Sequence, residues 1–313
     1  MDSFNRVAFF LFGFPIYWYG LCVAAAFIAG SVLALLRQTR SGLPENTVID
    51  FLILVIPSAL VCARIYYVVF NWSLYSGNWV EVFNFRHGGL AVYGGIAGGV
   101  IAGVLYARHK KISFGQLADV LAPSVVLGQA IGRWGNFFNQ EAYGGIVANE
   151  ALHFFPVAVF IQAEVQWHYA AFFYESLWCV FIFVLLLVAE KKKMFFKRGD
   201  AFIWYIVLYA VERAVVEQIR MDSLYFSTIR ISQWVSMAAL LCAAVLFFYR
   251  SFRSSLSRSV ICGAICVLCV AFTSFFAHHI NPLYSFGFNL LFLLSLFFLY
   301  SAQGQKESVL ENK

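Results

Sequence analysis

The 313-residue chain predicts an all-α polytopic membrane protein. Three observations carry that fold class. Apolar residues make up 62% of the sequence, against roughly 45–50% in an ordinary soluble domain. The mean hydropathy is +0.77. Apolar runs long enough to cross a hydrocarbon core of about 30 Å recur along the whole chain.

The runs lie near 14–36, 51–70, 88–107, 114–132, 169–189, 201–219, 231–249, 259–277 and 283–302. The first opens with GFPIYWYG. Its apolar part exceeds a signal-peptide core and no small-residue cleavage site precedes Arg37 and Arg40, so it is expected to stay as a span. Basic clusters then fall after alternate runs: Arg37 and Arg40, then Arg108, Lys110 and Lys111, then Lys191 to Arg198, then Arg250, Arg253 and Arg258. Cytoplasmic loops carry such an excess, which places the N-terminus outside and the tail 303–313 inside if all nine runs span. The same clusters account for most of the net charge of +6, and no nucleic-acid partner is implied.

The longest polar excursion, 133–168, is expected as a short head on the outer face. No repeat of fixed period and no paired broken helices of the inverted-repeat transporter kind are present. Glycines 94, 95, 98, 99 and 103 give the third run small-xxx-small spacing, which suits close helix packing. Seven cysteines, Cys22, Cys62, Cys179, Cys242, Cys262, Cys266 and Cys269, all lie in apolar runs without a CxxC pair. They read as small hydrophobes, with no metal site and no cofactor expected.

Charges within the runs are the chemical signal. Arg64, Arg133, Arg213, Glu217 and Arg220 all fall in the outer half of the membrane on this topology. Each costs about 2.5–3.5 kcal/mol at a bilayer centre, less near the interface. Tyr209, Arg213, Glu217 and Arg220 are spaced for one helical face, bordered by Glu212. An ion-pair network is the structural alternative, with Arg213 joined to Glu217 or Glu212 and Arg64 or Arg133 to Glu141. Arginine outnumbers the carboxylates counted so far, which points to an anionic ligand, and the phosphate available at that depth belongs to a phospholipid headgroup. The segment GRWGNFFNQEAYG at 132–144 adds Asn136, Asn139, Gln140 and Glu141 at the same boundary.

Several separated motifs then form an ordered set: YWYG at 17–20, ARIYYVVF at 63–70, HGGLAVYGG at 87–95, ADVLAP at 118–123, GRWGNFFNQEAYG at 132–144, YES at 174–176, YAVERAVVEQIR at 209–220 and ISQWVS at 231–236. In order and spacing the chain resembles the prolipoprotein diacylglyceryl transferases over about residues 10–250. The resemblance implies a bacterial plasma-membrane enzyme that moves the diacylglyceryl group of phosphatidylglycerol to the lipobox cysteine of a prolipoprotein. It implies a seven-helix core over 1–250, with 251–313 as an extension carrying two further spans. Arg133, Asn136, Glu141 and Gly144 match the family's signature segment, and Arg213 matches its essential arginine, with Tyr209 and Glu217 beside it. Tyr19 and Arg64 match polar positions near the lipid pocket, and Arg220 joins them as a further phosphate contact.

The chain departs from the family pattern in three places. Tyr93 stands in AVYGG where a histidine often precedes the glycines, so a histidine base is in doubt, and thiol activation is assigned to the arginine field assisted by Glu141 or Tyr93. YAAFFYES at 169–176 lacks the usual His-Pro, with His168 one position away. The extension 251–313 is expected to be dispensable for chemistry. His87 reads as an interfacial histidine, and the adjacent His278 and His279 make a weak metal signal. A non-catalytic lipid or organic-anion transporter could use the same arginine layer, but it needs a path to both sides, and the sixth run's inner half, AFIWYIVL, is apolar. An intramembrane aspartyl peptidase is a poor match because Asp50 and Asp119 fall toward the inner side.

Overall fold

A computed structural model describes residues 6–84, 88–221, 225–226, 229–252, 260, 262–269 and 282–311. His87, His278, His279 and most of the run 259–277 lie outside the described residues. The chain is an all-α polytopic membrane protein, with three small two-stranded antiparallel sheets among the described residues. It divides into two compact units, one of Ser31–Ser124 and one joining Met1–Gly30 to Val125–Lys313. Helices α1 (Trp18–Ser41) and α4 (Phe114–Asn139) contribute a part to each.

Among the described residues, five helices have the length and composition to cross a bilayer: α1, α2 (Thr47–Phe70), α4, α5 (Ala171–Lys191) and the Ser232–Arg250 part of α7 (Ile231–Phe252). The third and sixth runs also fold as helices, α3 (Val92–Lys110) and α6 (Asp200–Val216). Glycine in α3, and the short length and charges of α6, set these two apart from the five. The last run becomes the apolar stretch Gly287–Ser301 of α8 (Pro282–Glu311), and residues 262–269 are helical.

The expected head 133–168 starts only after Asn139, because residues 133–139 continue α4, and a second boundary differs at the start of the chain. Residues 14–17 are not helical but pair as β2 (Phe14–Tyr17) with β1 (Val7–Leu11). Phe12 and Gly13 both take positive φ at the turn, the conformation a tight hairpin demands. Phe9, Phe10, Phe12 and Phe14 are exposed on it.

In the Ser31–Ser124 unit, α2 and α3 are the principal packed pair, and glycine sets how close they come. A Cβ on Gly94 would lie 2.5 Å from the Cys62 carbonyl oxygen, and one on Gly98 would lie 2.7 Å from Cys62 Cβ and 2.8 Å from the Ser58 carbonyl oxygen. The packing stripe is therefore 94/98, since Gly95 and Gly99 face ordinary contacts near 3.7 Å. A core of Ala34, Leu43, Val48, Phe51, Tyr106, Leu117 and Val120 closes the unit.

In the other unit, α5, α6, α7 and α8 pack together. Asp200, fully buried at the start of α6, accepts hydrogen bonds from the Phe196 and Lys197 backbone N–H groups (3.1 and 2.8 Å), Arg250 Nη1 (2.9 Å) and the Tyr300 hydroxyl (2.7 Å). The rings of Trp204, Phe247 and Tyr300 stack around this point with centroids 5.1 to 5.8 Å apart. A buried carboxylate is tolerable when every approach carries a donor, and here the donors come from a loop, α7 and α8.

The head segment after α4 is a small sheet. β3 (Ala158–Ile161) pairs with β4 (Gln166–Tyr169). Residues 143–147 run along the other side of β4, through Gly144 N–H to Tyr169 O at 2.8 Å and Val147 N–H to Trp167 O at 2.8 Å. The far edge of 143–147 holds the turn after α6, through Gly145 N–H to Ile219 O at 2.9 Å and a bridge between Gly144 and Arg220.

Candidate active site

The site is built around Glu175, a carboxylate on α5 that is 1% exposed. Arg213 Nη1 and Arg220 Nη1 both donate to its Oε1, at 2.8 and 3.0 Å. Arg133 Nε reaches its Oε2 at 2.6 Å. The second arm of Arg213 binds Glu217, and Arg133 Nη2 donates to the Tyr209 hydroxyl at 3.3 Å. Three guanidiniums from α4, α6 and the turn after α6 thus converge on one buried carboxylate.

Local structure explains how each arrives. Arg133 lies in the last two turns of α4, and Ser176 Oγ bonds the Ala130 carbonyl oxygen at 2.7 Å to tie α4 to α5 there. Trp178 Nε1 donates to the Leu208 carbonyl oxygen at 3.0 Å and fixes α5 against α6. Helix α6 stops at Val216, and Gln218, Ile219 and Arg220 are held by turn hydrogen bonds to Val215 and Val216. The expectation that Tyr209, Arg213, Glu217 and Arg220 share one helical face therefore fails at its last member. Arg220 is past the helix and is positioned by its strand-like pairing with Gly144.

The excess of arginine also needs correction. The carboxylate that the arginine count omits is Glu175, whose signal in the sequence is a charge inside the fifth apolar run, in the YES motif. Glu212 is 4% exposed, with neither carboxylate oxygen hydrogen-bonded among the described residues. With these two counted beside Glu217, three carboxylates stand among three guanidiniums. The ion-pair reading is correct for Arg213 with Glu217, while the partner of Arg133 is Glu175 and not Glu141. The side chains of Arg133, Arg213 and Arg220 are 20%, 15% and 13% exposed, so the cluster is not sealed.

Glu141 instead closes the end of α4. Its Oε1 accepts from Asn136 Nδ2 at 2.9 Å and Asn139 Nδ2 at 3.4 Å, and it is exposed. Gln140 and Ala142 on either side have φ of 53° and 56°, a left-handed conformation that costs about 1–2 kcal/mol per residue outside glycine. Tyr19 packs its ring where Gly135 has no Cβ, 2.8 Å from the position a Cβ would take. It lines a cavity of about 650 Å³ with Arg6, Tyr17 and Asn139.

Arg64 and Tyr93 belong to the Ser31–Ser124 unit. Arg64 is 4% exposed and spreads its guanidinium over four backbone carbonyl oxygens: Val82 at 2.9 Å, Gly88 at 2.7 Å, Gly89 at 3.0 Å and Glu81 at 2.7 Å. Gly89 has φ +77°, and a Cβ there would come within 2.4 Å of Arg64 Nη1. The arginine organises this loop, and its ion-pair alternative with Glu141 is not what the fold gives it. Tyr93 is half-buried in the first turn of α3.

A family model for prolipoprotein diacylglyceryl transferase matches residues 6–249. The chain belongs to the prolipoprotein diacylglyceryl transferase family. Among the relatives of this family member, the phosphatidylglycerol–prolipoprotein diacylglyceryl transferase of Bacillus cytotoxicus is 40% identical over 254 residues, which cover 80% of this chain and 93% of the relative. The enzyme of the same name from Enterococcus faecalis is 42% identical over 251 residues, 79% of this chain and 90% of the relative. That from Clostridioides difficile is 41% identical over 247 residues, 79% and 96%. In this diacylglyceryl transferase family member every residue of the Glu175 cluster lies within the matched span, whereas α8 lies beyond it.

Proposed function

We infer that this chain transfers the diacylglyceryl group of phosphatidylglycerol to the lipobox cysteine of prolipoproteins, the first step of bacterial lipoprotein maturation. The observation that carries the chemistry is the convergence of Arg133, Arg213 and Arg220 on Glu175 with part of each arginine side chain still exposed. A guanidinium has five donors in a rigid fork, so each can hold a counter-carboxylate and still offer N–H groups to a phosphate.

In the transfer, the cysteine thiol loses its proton and its sulfur attacks the glycerol carbon of the diacylglyceryl group. The bond from that carbon to the phosphate oxygen breaks, and the electron pair leaves on glycerol 1-phosphate. The leaving phosphate gains one negative charge, and donors already oriented at that position stabilise it without reorganisation. Arg133 and Arg213 take this role, with Arg220, Tyr209 and Glu217 setting the fork geometry. An ordinary cysteine has a pKa near 8.5, and the cationic site raises its thiolate fraction, assisted by Glu141 or Tyr93. Tyr19, Asn136 and Gly144 shape the entry beside the end of α4. No cofactor enters this scheme.

The enzyme acts in the bacterial cytoplasmic membrane, with its N-terminus outside and the arginine cluster toward the outer leaflet. Residues 1–250 form the catalytic core and 251–313 an added segment. The test is purified protein in mixed micelles with phosphatidylglycerol and a synthetic lipobox peptide, read by mass spectrometry. Diacylglyceryl thioether from the wild type and none from Arg213→Ala supports the reading. No product from folded wild type rejects it. Full turnover across neutral pH in both Tyr93→Phe and Glu141→Gln would remove the assisting roles.

A further inference from the structure

His168 lies on β4 in the head segment, fully buried although it carries a polar ring. Its Nδ1 is 2.9 Å from the Gly144 carbonyl oxygen. A carbonyl can only accept, so Nδ1 carries the hydrogen. On the other side Nε2 stands 3.1 Å from Glu164 Oε2, and the remaining oxygen of Glu164 accepts from the Tyr143 hydroxyl. The Tyr143 ring meets the imidazole edge-on at 4.7 Å. His168 thus holds the Gly144 carbonyl, with the Tyr143 ring and the Glu164 carboxylate lying against its imidazole.

That segment is the middle strand between β4 and the turn carrying Arg220. Gly144 N–H donates to Tyr169 O (2.8 Å), Tyr169 N–H to Gly145 O (3.0 Å), Gly145 N–H to Ile219 O (2.9 Å) and Met221 N–H to Tyr143 O (3.4 Å). Arg220, bridged to Gly144, then reaches Glu175 at 3.0 Å. There is no room for adjustment at the crossing point: a Cβ on Gly144 would sit 2.9 Å from Tyr169 Cβ and 3.3 Å from the Ile219 carbonyl oxygen. Because α6 has ended at Val216, Arg220 is held by one turn hydrogen bond back to the Val216 carbonyl (3.2 Å) and by its bridge to this strand.

We propose that His168 is a positioning residue for diacylglyceryl transfer: by holding the Gly144 carbonyl it sets the strand that places Arg220 in the phosphate-binding arginine cluster. The inference rests on the transferase reading above. It predicts a role for a side chain that touches neither the cluster nor the reacting atoms.

The experiment is a double-mutant cycle in the micelle assay with phosphatidylglycerol and lipobox peptide, using the full-length chain and variants His168→Leu, Arg220→Gln and both together, with thermal unfolding followed in the same detergent. Each single variant is expected to lose roughly tenfold in kcat/KM for phosphatidylglycerol, and the double variant no more than either one, because both remove the same placed guanidinium. Losses that multiply in the double variant, or a His168→Leu enzyme with unchanged kcat/KM, overturn the proposal. Where the leucine variant does not fold, two amides decide. His168→Asn keeps a donor at the Nδ1 position and is expected to retain turnover, whereas His168→Gln offers one at the Nε2 position and is expected to be impaired. The opposite order, or equal activity in the two, overturns the proposal. Wild-type protein that forms no thioether rejects the transferase reading itself, an outcome distinct from an active wild type with multiplying losses.

Discussion

Replacing Arg133 by alanine separates a catalytic cluster from a merely structural one. The substitution removes the 2.6 Å contact to Glu175 and the 3.3 Å hydrogen bond to the Tyr209 hydroxyl. Breaking a buried ion pair usually costs about 3–5 kcal/mol because a charge is left uncompensated. Glu175, however, keeps Arg213 at 2.8 Å and Arg220 at 3.0 Å, so it stays compensated. The stability loss should then be that of a charged hydrogen bond, about 1.5–3 kcal/mol, reduced by the relief of burying one fewer guanidinium. Turnover is another matter, since one oriented donor to a developing anion is worth about 2.7–4 kcal/mol, roughly 10² to 10³ in kcat. The assay is thioether formation per folded molecule, with the folded fraction measured by thermal unfolding in the same micelles. Turnover per folded molecule within threefold of wild type would refute the reasoning, as would parallel loss of fold and activity.

Arg213→Lys should not restore wild-type activity, because the two arms of Arg213 reach Glu175 and Glu217 separately and one ammonium cannot copy that fork; steady-state kinetics of the lysine and alanine variants check it, and full activity of the lysine enzyme would contradict it. Gly98→Leu should prevent α2 and α3 from closing, since even a Cβ would sit 2.7 Å from Cys62 Cβ; the expected result is loss of monodisperse protein in size-exclusion chromatography, and a leucine variant with wild-type yield and melting temperature counts against the 94/98 stripe. Tyr300→Phe removes the hydroxyl that donates to Asp200 at 2.7 Å and accepts from the Phe196 N–H at 3.1 Å, and should cost about 1–3 kcal/mol in thermal unfolding while turnover per folded molecule is kept. The same logic refines the expectation for the 251–313 extension. A chain ending after Arg258 should be less stable, because Asp200 loses one of its donors, but should keep its chemistry.

Much of the architecture was legible from local sequence because partition into a bilayer depends on the composition of each run by itself. The apolar runs marked the helices, and the glycine spacing marked α3 as a close-packing helix, although both possible stripes, 94/98 and 95/99, satisfied it. The choice between them depended on which face α2 presents, which is a property of two helices together. The arginines were visible as charges in apolar surroundings, but the layer they were assigned to also held Arg64, which binds loop carbonyls instead.

Their partners were not legible, for a physical reason. A guanidinium takes whatever acceptor the fold brings within about 3 Å, and that acceptor is fixed by where other elements begin and end. Arg64 and Arg133 read alike as buried cations near the ends of apolar runs. One is satisfied by carbonyls at positions 81–89 and the other by Glu175 on a different helix. Glu141 read as an ion-pair partner for Arg64 or Arg133, yet left-handed residues at 140 and 142 turn the chain there, and it binds the two asparagines instead. Arg220 continued the spacing of α6, but the helix stops at Val216 and strand pairing with Gly144 takes over. The sequence by itself determined that this is a helical membrane protein with arginines inside it and which family it resembles. The tertiary structure decided that three of those arginines share Glu175, because only the packing of α4, α5 and α6 together with the strand pairing after α6 brings these short-range contacts to one point.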